Sequence, residues 1–274
     1  MRWQGGRRGG GIEDRRGMGG GAMAGGGIGV AILGLIGYFV FGIDPQTTTQ
    51  VASSLGGATQ QQGEVGTPED QAGQFVDVIG TNVSDVWTQA MPGYRAPNIV
   101  LYEQGTGTQC GYGQAAMGPF YCPADQTVYL DLGFWRQLQE LGGGGDFAQA
   151  YVIAHEIGHH VQTLNGASDR TRQAQQNASS QGEANAASVA LELQADCYAG
   201  VWAANAAAVS GGQVALESGD LEEGMNTAAA IGDDALTGGR ASPESFTHGT
   251  SDQRVAWLRR GYQSGDPAAC ATGA

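Results

Sequence analysis

Residues 155–160 read His155-Glu156-Ile157-Gly158-His159-His160 and hold three of the four histidines in the chain. They fall inside a stretch patterned as a largely buried helix. Phe147, Ala150, Tyr151, Ile153, Ala154, Ile157, Val161 and Leu164 recur at helical spacing. Glycines 142–145 break the preceding structure, Asp146 is placed to cap the helix with Gln149 three residues on, and Gly166 supplies a stop. His155 and His159 are four apart, so both imidazoles leave one helix face about one turn from each other. Burying polar groups without partners costs several kcal/mol or more, so two histidines and a glutamate there need something to bind. The spacing suits a tetrahedral Zn²⁺ taking neutral imidazole nitrogens at roughly 2.0–2.1 Å. Glu156 is then placed to take a proton from a water on the metal. His160 points about 100° away from His159 and reads as a residue behind the ligands or in the core.

A third protein ligand has to come from elsewhere. Positions 162 and 165 are Gln162 and Asn165, which excludes a third histidine six residues past the second. Between Ala184 and Leu216 the only charged side chains are Glu192 and Asp196, four apart in a run rich in Ala, Val, Leu and Trp. Two acids on one face of an apolar helix repel each other unless a cation lies beside them. Glu192 is therefore the expected ligand, and Asp196 the acceptor of the outer N–H of a ligating histidine, His155 above all. Glu183 is the competing ligand, but it falls in a polar stretch and has no acid four residues on.

His-Glu-x-x-His followed by Glu-x-x-x-Asp is the pattern of the gluzincin metallopeptidases. More narrowly, the runs HEIGHHVQ, LELQADCYAG, GPFYCPADQTVYLDL and FTHGTSDQR resemble the bacterial "putative neutral zinc metallopeptidase" family of membrane-anchored proteins. The resemblance spans about Phe75 to Cys270 and includes an N-terminal anchor of the same kind. It implies one Zn²⁺ per chain and a peptide or protein substrate, and says little about which. Gluzincins often use a downstream histidine or tyrosine to hydrogen-bond the oxyanion that develops on the scissile carbonyl. His248, in Phe246-Thr247-His248-Gly249-Thr250-Ser251, is the remaining histidine and is assigned that part, with Tyr262 and Arg254 as substitutes. A helix capped by Thr250 or Ser251 is expected to follow it.

Residues 1–21 carry five arginines against Glu13 and Asp14, and residues 22–42 carry no charge. A 21-residue helix at 1.5 Å per residue spans a hydrocarbon core of about 30 Å. No arginine follows until Arg95, so the positive-inside rule predicts a cytoplasmic tail (1–21), a single transmembrane anchor (22–42) and an extracytoplasmic remainder at the inner or plasma membrane. A cleaved signal peptide is the rival reading, disfavoured because no small-x-small site directly follows Phe41. Residues 43–274 hold eight arginines, no lysine and 25 acids. That excess of negative charge argues against nucleic-acid binding, which needs a basic footprint. Cys110, Cys122, Cys197 and Cys270 all fall in the exported part, where an even count favours disulfides. Cys110 and Cys122 close a short Gly-rich loop and are paired, which leaves Cys197 with Cys270.

Residues 43–68, rich in Gln, Gly, Thr and Ser, read as a flexible linker, and 69–274 as one domain. Phe75 to Trp87 is patterned as an opening helix, and Asn98–Tyr102 and Thr127–Leu132 as strands, the second either an edge strand open to an extended peptide or inner sheet. Ala167–Gln181 lacks aliphatic anchors and reads as a loop rimming the cleft. The expectation is an α+β, zincin-like metallopeptidase domain, helix-rich with a small sheet, after one transmembrane helix. The reading from another class is a zinc-stabilised envelope scaffold that cleaves nothing.

Overall fold

The computed structural model describes residues 1–17, 63–114 and 118–272. Its strands are β1 (Ile12–Asp14), β2 (Glu64–Gly66), β3 (Asn98–Tyr102), β4 (Gly105–Thr108), β5 (Gly111–Gln114), β6 (Phe120–Cys122) and β7 (Thr127–Asp131). Its helices are α1 (Gln71–Ala90), α2 (Phe134–Glu140), α3 (Asp146–Leu164), α4 (Ala167–Asn177), α5 (Gln181–Val209), α6 (Asp220–Ala230), α7 (Asp233–Leu236) and α8 (Ser251–Ser264).

The two apolar runs Asn98–Tyr102 and Thr127–Asp131 pair in parallel, Asn98 opposite Thr127 and Tyr102 opposite Asp131. They form the middle of a sheet ordered β2-β1-β3-β7-β6, with antiparallel strands at both margins, while β4 and β5 make a separate hairpin. Side chains alternate between faces along a strand. Ile12, Ile99, Leu101, Val128 and Leu130 accordingly join the main core with Val76, Ile79 and Val83 of α1 and Tyr151, Ile153 and Ile157 of α3. Val100, Tyr102 and Tyr129 face the other way and pack with Cys122 and Phe120. β7 is thus an inner strand, and the margin beside it belongs to β6. Helix α5 crosses behind α3, with Trp202 stacked parallel to Phe147 at 6.0 Å and its Nε1 donating to Asn82 Oδ1 of α1 at 2.8 Å. Disulfides join Cys110 to Cys122 and Cys197 to Cys270. With separations of 12 and 73 residues, loop closure contributes about 3 and about 4.5 kcal/mol in the chain-entropy picture.

Several expectations need correction. Residues 1–17 are not a tail apart from the domain. β1 lies between β2 and β3, Trp3 is buried edge-on against Phe75 at 5.1 Å, and four arginines of the segment are taken up by acids. Arg7 pairs with Asp85, Arg8 with Asp77, Arg15 with Glu13, and Arg16 with both Asp14 and Asp70. Charge that reads in sequence as a topology signal is spent on ion pairs with residues up to 78 positions away. The end of the expected linker is also structured, since β2 falls within it and Gly63 N–H donates to Glu13 at 2.7 Å. The proposed span 22–42 lies outside the described residues; among those described, no helix is long and apolar enough to cross a membrane.

Asp146 does not cap α3. Gly145 holds that position at φ 98°, the Phe147 N–H goes to Glu223 of α6 at 3.3 Å, and Asp146 accepts the Met1 ammonium at 2.6 Å instead. The polar stretch after Gly166 is helix α4 over Ala167–Asn177. Its Ala, Arg and Gln content favours helix without needing an apolar stripe, and only Ala167 and Thr171 are buried.

Because Trp3 is part of the core, Trp3→Ala should destabilise the full chain by about 3–5 kcal/mol, the range for large aromatic truncations. A detached tail predicts no change in a denaturant melt.

Candidate metal centre

Helices α3 and α5 come together where both carry small residues. A Cβ on Gly158 would lie 3.3 Å from the Ala195 backbone, so that glycine lets the helices close to contact. The turns flanking this contact carry His155, His159 and Glu192. His155 Nε2 and His159 Nε2 are 3.1 Å apart, Glu192 Oε2 is 3.2 Å from the first and Glu192 Oε1 is 3.4 Å from the second. A tetrahedron with arms of roughly 2.0–2.1 Å has edges of about 3.3–3.4 Å, so the triangle has the size zinc requires.

The outer hydrogen bonds say which lone pairs point inward. His155 Nδ1 donates to Asp196 Oδ1 at 2.8 Å. His159 Nδ1 donates to Gln162 Oε1 at 2.8 Å, and the orientation of that amide is fixed because its Nε2 donates to Leu191 O and Gln194 Oε1. Both Nδ1 atoms therefore carry the proton, and both Nε2 atoms present lone pairs to each other and to a carboxylate. Three acceptors converging at 3.1–3.4 Å repel unless a cation sits among them. The donor set fits zinc.

Two acids beside this triangle are driven in opposite directions. Burial raises the Glu156 carboxyl above the ordinary glutamate range, the charges of His159 and His155 only partly opposing it. Burial would do the same to Glu192, but the charge of His159 first, with both imidazoles against its oxygens, holds it well below that range. Burial alone would lower the His155 imidazole, yet Asp196 and Glu192 raise it to about 10, so the site favours positive charge. Glu156 is 8% exposed and has no hydrogen-bond partner among the described residues.

Asp196, fully buried, accepts from Tyr151 Oη at 2.6 Å and from Arg254 Nε and Nη2 at 2.9 Å each, besides His155. Arg254 is thereby committed to Asp196 and is not a substitute donor at the reacting centre. His248 sits one residue before Gly249, whose φ of 96° and close packing on Val189 and Leu193 bring the loop onto the Glu192 turn of α5. Its Nδ1 lies 3.1 Å from Asp233 Oδ1, and Asp233 Oδ2 gathers the backbone N–H groups of Thr247, His248 and Gly249.

His160, read from the sequence as lying behind the ligands or in the core, takes the second of those places. It is fully buried, donating from Nε2 to Arg95 O at 2.6 Å and accepting from Tyr121 Oη at 3.0 Å, so it ties α3 to the sheet side of the core. Glu183 lies in the first turn of α5, where it accepts from Ser179, and is no ligand. A second group of acids, Asp146, Asp220 and Glu223, lies around the Met1 ammonium, which donates to Asp146 and Asp220. Sequence reasoning missed Gln162, Asp233 and the pairing of Arg254 with Asp196. Gln162 offered a signal, a polar residue three after His159 on an apolar helix; Asp233 offered none.

The chain is similar in sequence to known proteins. The family described as "Putative neutral zinc metallopeptidase" matches residues 1–273. An uncharacterised protein of Escherichia coli (strain K12), YpfJ, is 47% identical over 291 residues, covering 99% of this chain and 98% of its own. An uncharacterised protein of Mycobacterium tuberculosis (strain H37Rv) is 45% identical over 208 residues, covering 72% of this chain and 69% of its own. No solved structure matches the chain.

His159→Ala or Glu192→Ala should strip zinc from the purified protein, and metal analysis showing full occupancy in both would overturn the ligand set. His160→Ala should keep its zinc while losing stability, since its partners are Tyr121 and Arg95.

Proposed function

The chain belongs to the "Putative neutral zinc metallopeptidase" family, and we propose that it hydrolyses peptide bonds with one zinc per chain held by His155, His159 and Glu192. The observation that carries this reading is a buried carboxylate, Glu156, with no hydrogen-bond partner among the described residues, beside three converging metal-ligand lone pairs. Zinc bound there supplies Lewis acidity, bringing the pKa of water toward ~7.

The rest of the chemistry falls to side chains. Glu156, next in sequence to a ligand, takes the proton of the attacking water on its carboxylate and hands it to the leaving amine. Its elevated affinity for a proton suits both halves of that transfer. His248, held at Nδ1 by Asp233, is the group proposed to hydrogen-bond the oxyanion. Asp196 and Gln162 hold the two ligand rings so that their Nε2 lone pairs stay convergent.

The two disulfides support a working compartment outside the cytoplasm. On this reading residues 1–17, whose β1 pairs with β2 and β3, work in the same compartment as the site. Cysteines introduced at exposed Gly5 and Glu140 should therefore react alike with a membrane-impermeant thiol reagent on intact cells. Opposite labelling would show that the two segments are separated by the membrane.

Glu156→Gln, close in shape and outside the ligand set, should leave zinc content and fold nearly unchanged while slowing peptide cleavage ~10²–10⁴-fold. Unbiased peptide-library cleavage by wild type and variant measures this. Wild-type protein that holds zinc but cleaves nothing, with a cellular role that survives Glu156→Gln, would point to the scaffold reading.

A further inference from the structure

We propose that Arg254 is a positioning residue of the metal centre, fixing the plane of Asp196 so that Asp196 can hold the His155 ring with Nε2 toward Glu192 and His159. The proposal rests on the metal-centre reading and extends it outward from Asp196 to α8.

Arg254 is 3% exposed, whereas Arg259 and Arg260 on the same helix are exposed. Its guanidinium meets Asp196 two-pronged, Nε on Oδ2 and Nη2 on Oδ1, both at 2.9 Å. That fork fixes the rotation of the carboxylate about its last bond, which a single-point contact cannot do. The guanidinium is itself held at two further points, Nη1 on Ile231 O and Nη2 on Tyr151 Oη, both at 3.3 Å. Asp196 Oδ1 receives Tyr151 Oη, His155 Nδ1 and Arg254 Nη2 together. If its plane turns, the bond to His155 turns with it.

The fold sets the distance between Arg254 and Asp196 through backbone contact. A Cβ on Gly261 would come within 1.9 Å of Cys197 O, and one on Gly200 within 2.2 Å of Leu258 O, so α8 lies directly against α5. The Cys197–Cys270 disulfide ties the chain beyond α8 to the residue next to Asp196. Little play is left in where the guanidinium sits.

The test uses the full chain, with zinc affinity measured by competition with a chromophoric chelator and ligand geometry followed by the visible spectrum of the cobalt(II)-loaded protein. Arg254→Lys keeps the buried positive charge but not the fork. It should fold, yet bind zinc 10–100-fold more weakly, the usual effect of losing an outer partner of a metal ligand, with a changed cobalt spectrum. The variants Asp196→Asn, Arg254→Met and their combination complete a cycle, and the double variant removes both buried charges at once. If Arg254 acts through Asp196, adding Arg254→Met to Asp196→Asn should weaken zinc by less than threefold more. Lower stability of the metal-free Arg254→Lys protein with unchanged zinc affinity and cobalt spectrum would overturn the proposal, as would full additivity in the cycle. Wild-type protein that takes up no zinc would overturn the metal-centre reading and this one with it; loss of zinc in His159→Ala but not in Arg254→Lys would overturn this one alone.

Discussion

A carboxylate with no exposed surface needs its charge answered from within the protein, and Asp196 is answered by groups from two other helices. Tyr151 and His155 reach it from α3 and Arg254 from α8, while Asp196 itself belongs to α5. Leaving a charge of that kind uncompensated in a protein interior costs several kcal/mol, so the three helices are held to one mutual arrangement. Glycines at Gly158, Gly200 and Gly261 make the arrangement sterically available, since a side chain at the latter two would collide with neighbouring backbone. Close helix contact and the candidate ligand triangle of His155, His159 and Glu192 are in this sense one constraint.

The two glutamates at the centre show how neighbours, rather than burial, divide roles between like groups. Both are drawn out of water. Glu192 faces two imidazoles and stays ionised far more readily than a free glutamate, while Glu156 feels the same imidazoles only at a distance and holds a proton more readily. Environments that push two like carboxyls apart are the usual basis for separating a ligand or nucleophile from a proton carrier.

What could be read from the sequence follows the range of the interactions concerned. His155, His159, Glu192 and Asp196 were legible because each pair is four apart on a helix whose other faces are apolar, so their chemistry had to be answered locally. The disulfides were legible from loop length and an even count. Helix α4 was not, because a solvated helix has no apolar stripe to display. The N-terminal segment was misread because its arginines reveal their partners only in the folded chain: Arg8 meets Asp77 and Arg15 meets Thr106 across 69 and 91 residues. Sequence shows the sign of such charges, and the sign alone also fits a membrane-topology signal. The same distance hid the link from Arg254 to Asp196, 58 residues apart.

The place of β1 in the sheet bears on how the protein is assembled. It lies inside the sheet and pairs with β3, 87 positions further along the chain at Ile12 and Ile99. Until β1 docks, β3 presents a row of unpaired backbone groups, and apolar side chains such as Ile99 and Leu101 lack one flank. An open strand margin of that kind is a template for pairing with other chains. Contacts so distant along the chain also form slowly, because loop closure must precede their reward. The vulnerable interval in folding is therefore the one before β1 docks on β3, when a second copy can offer a strand in its place.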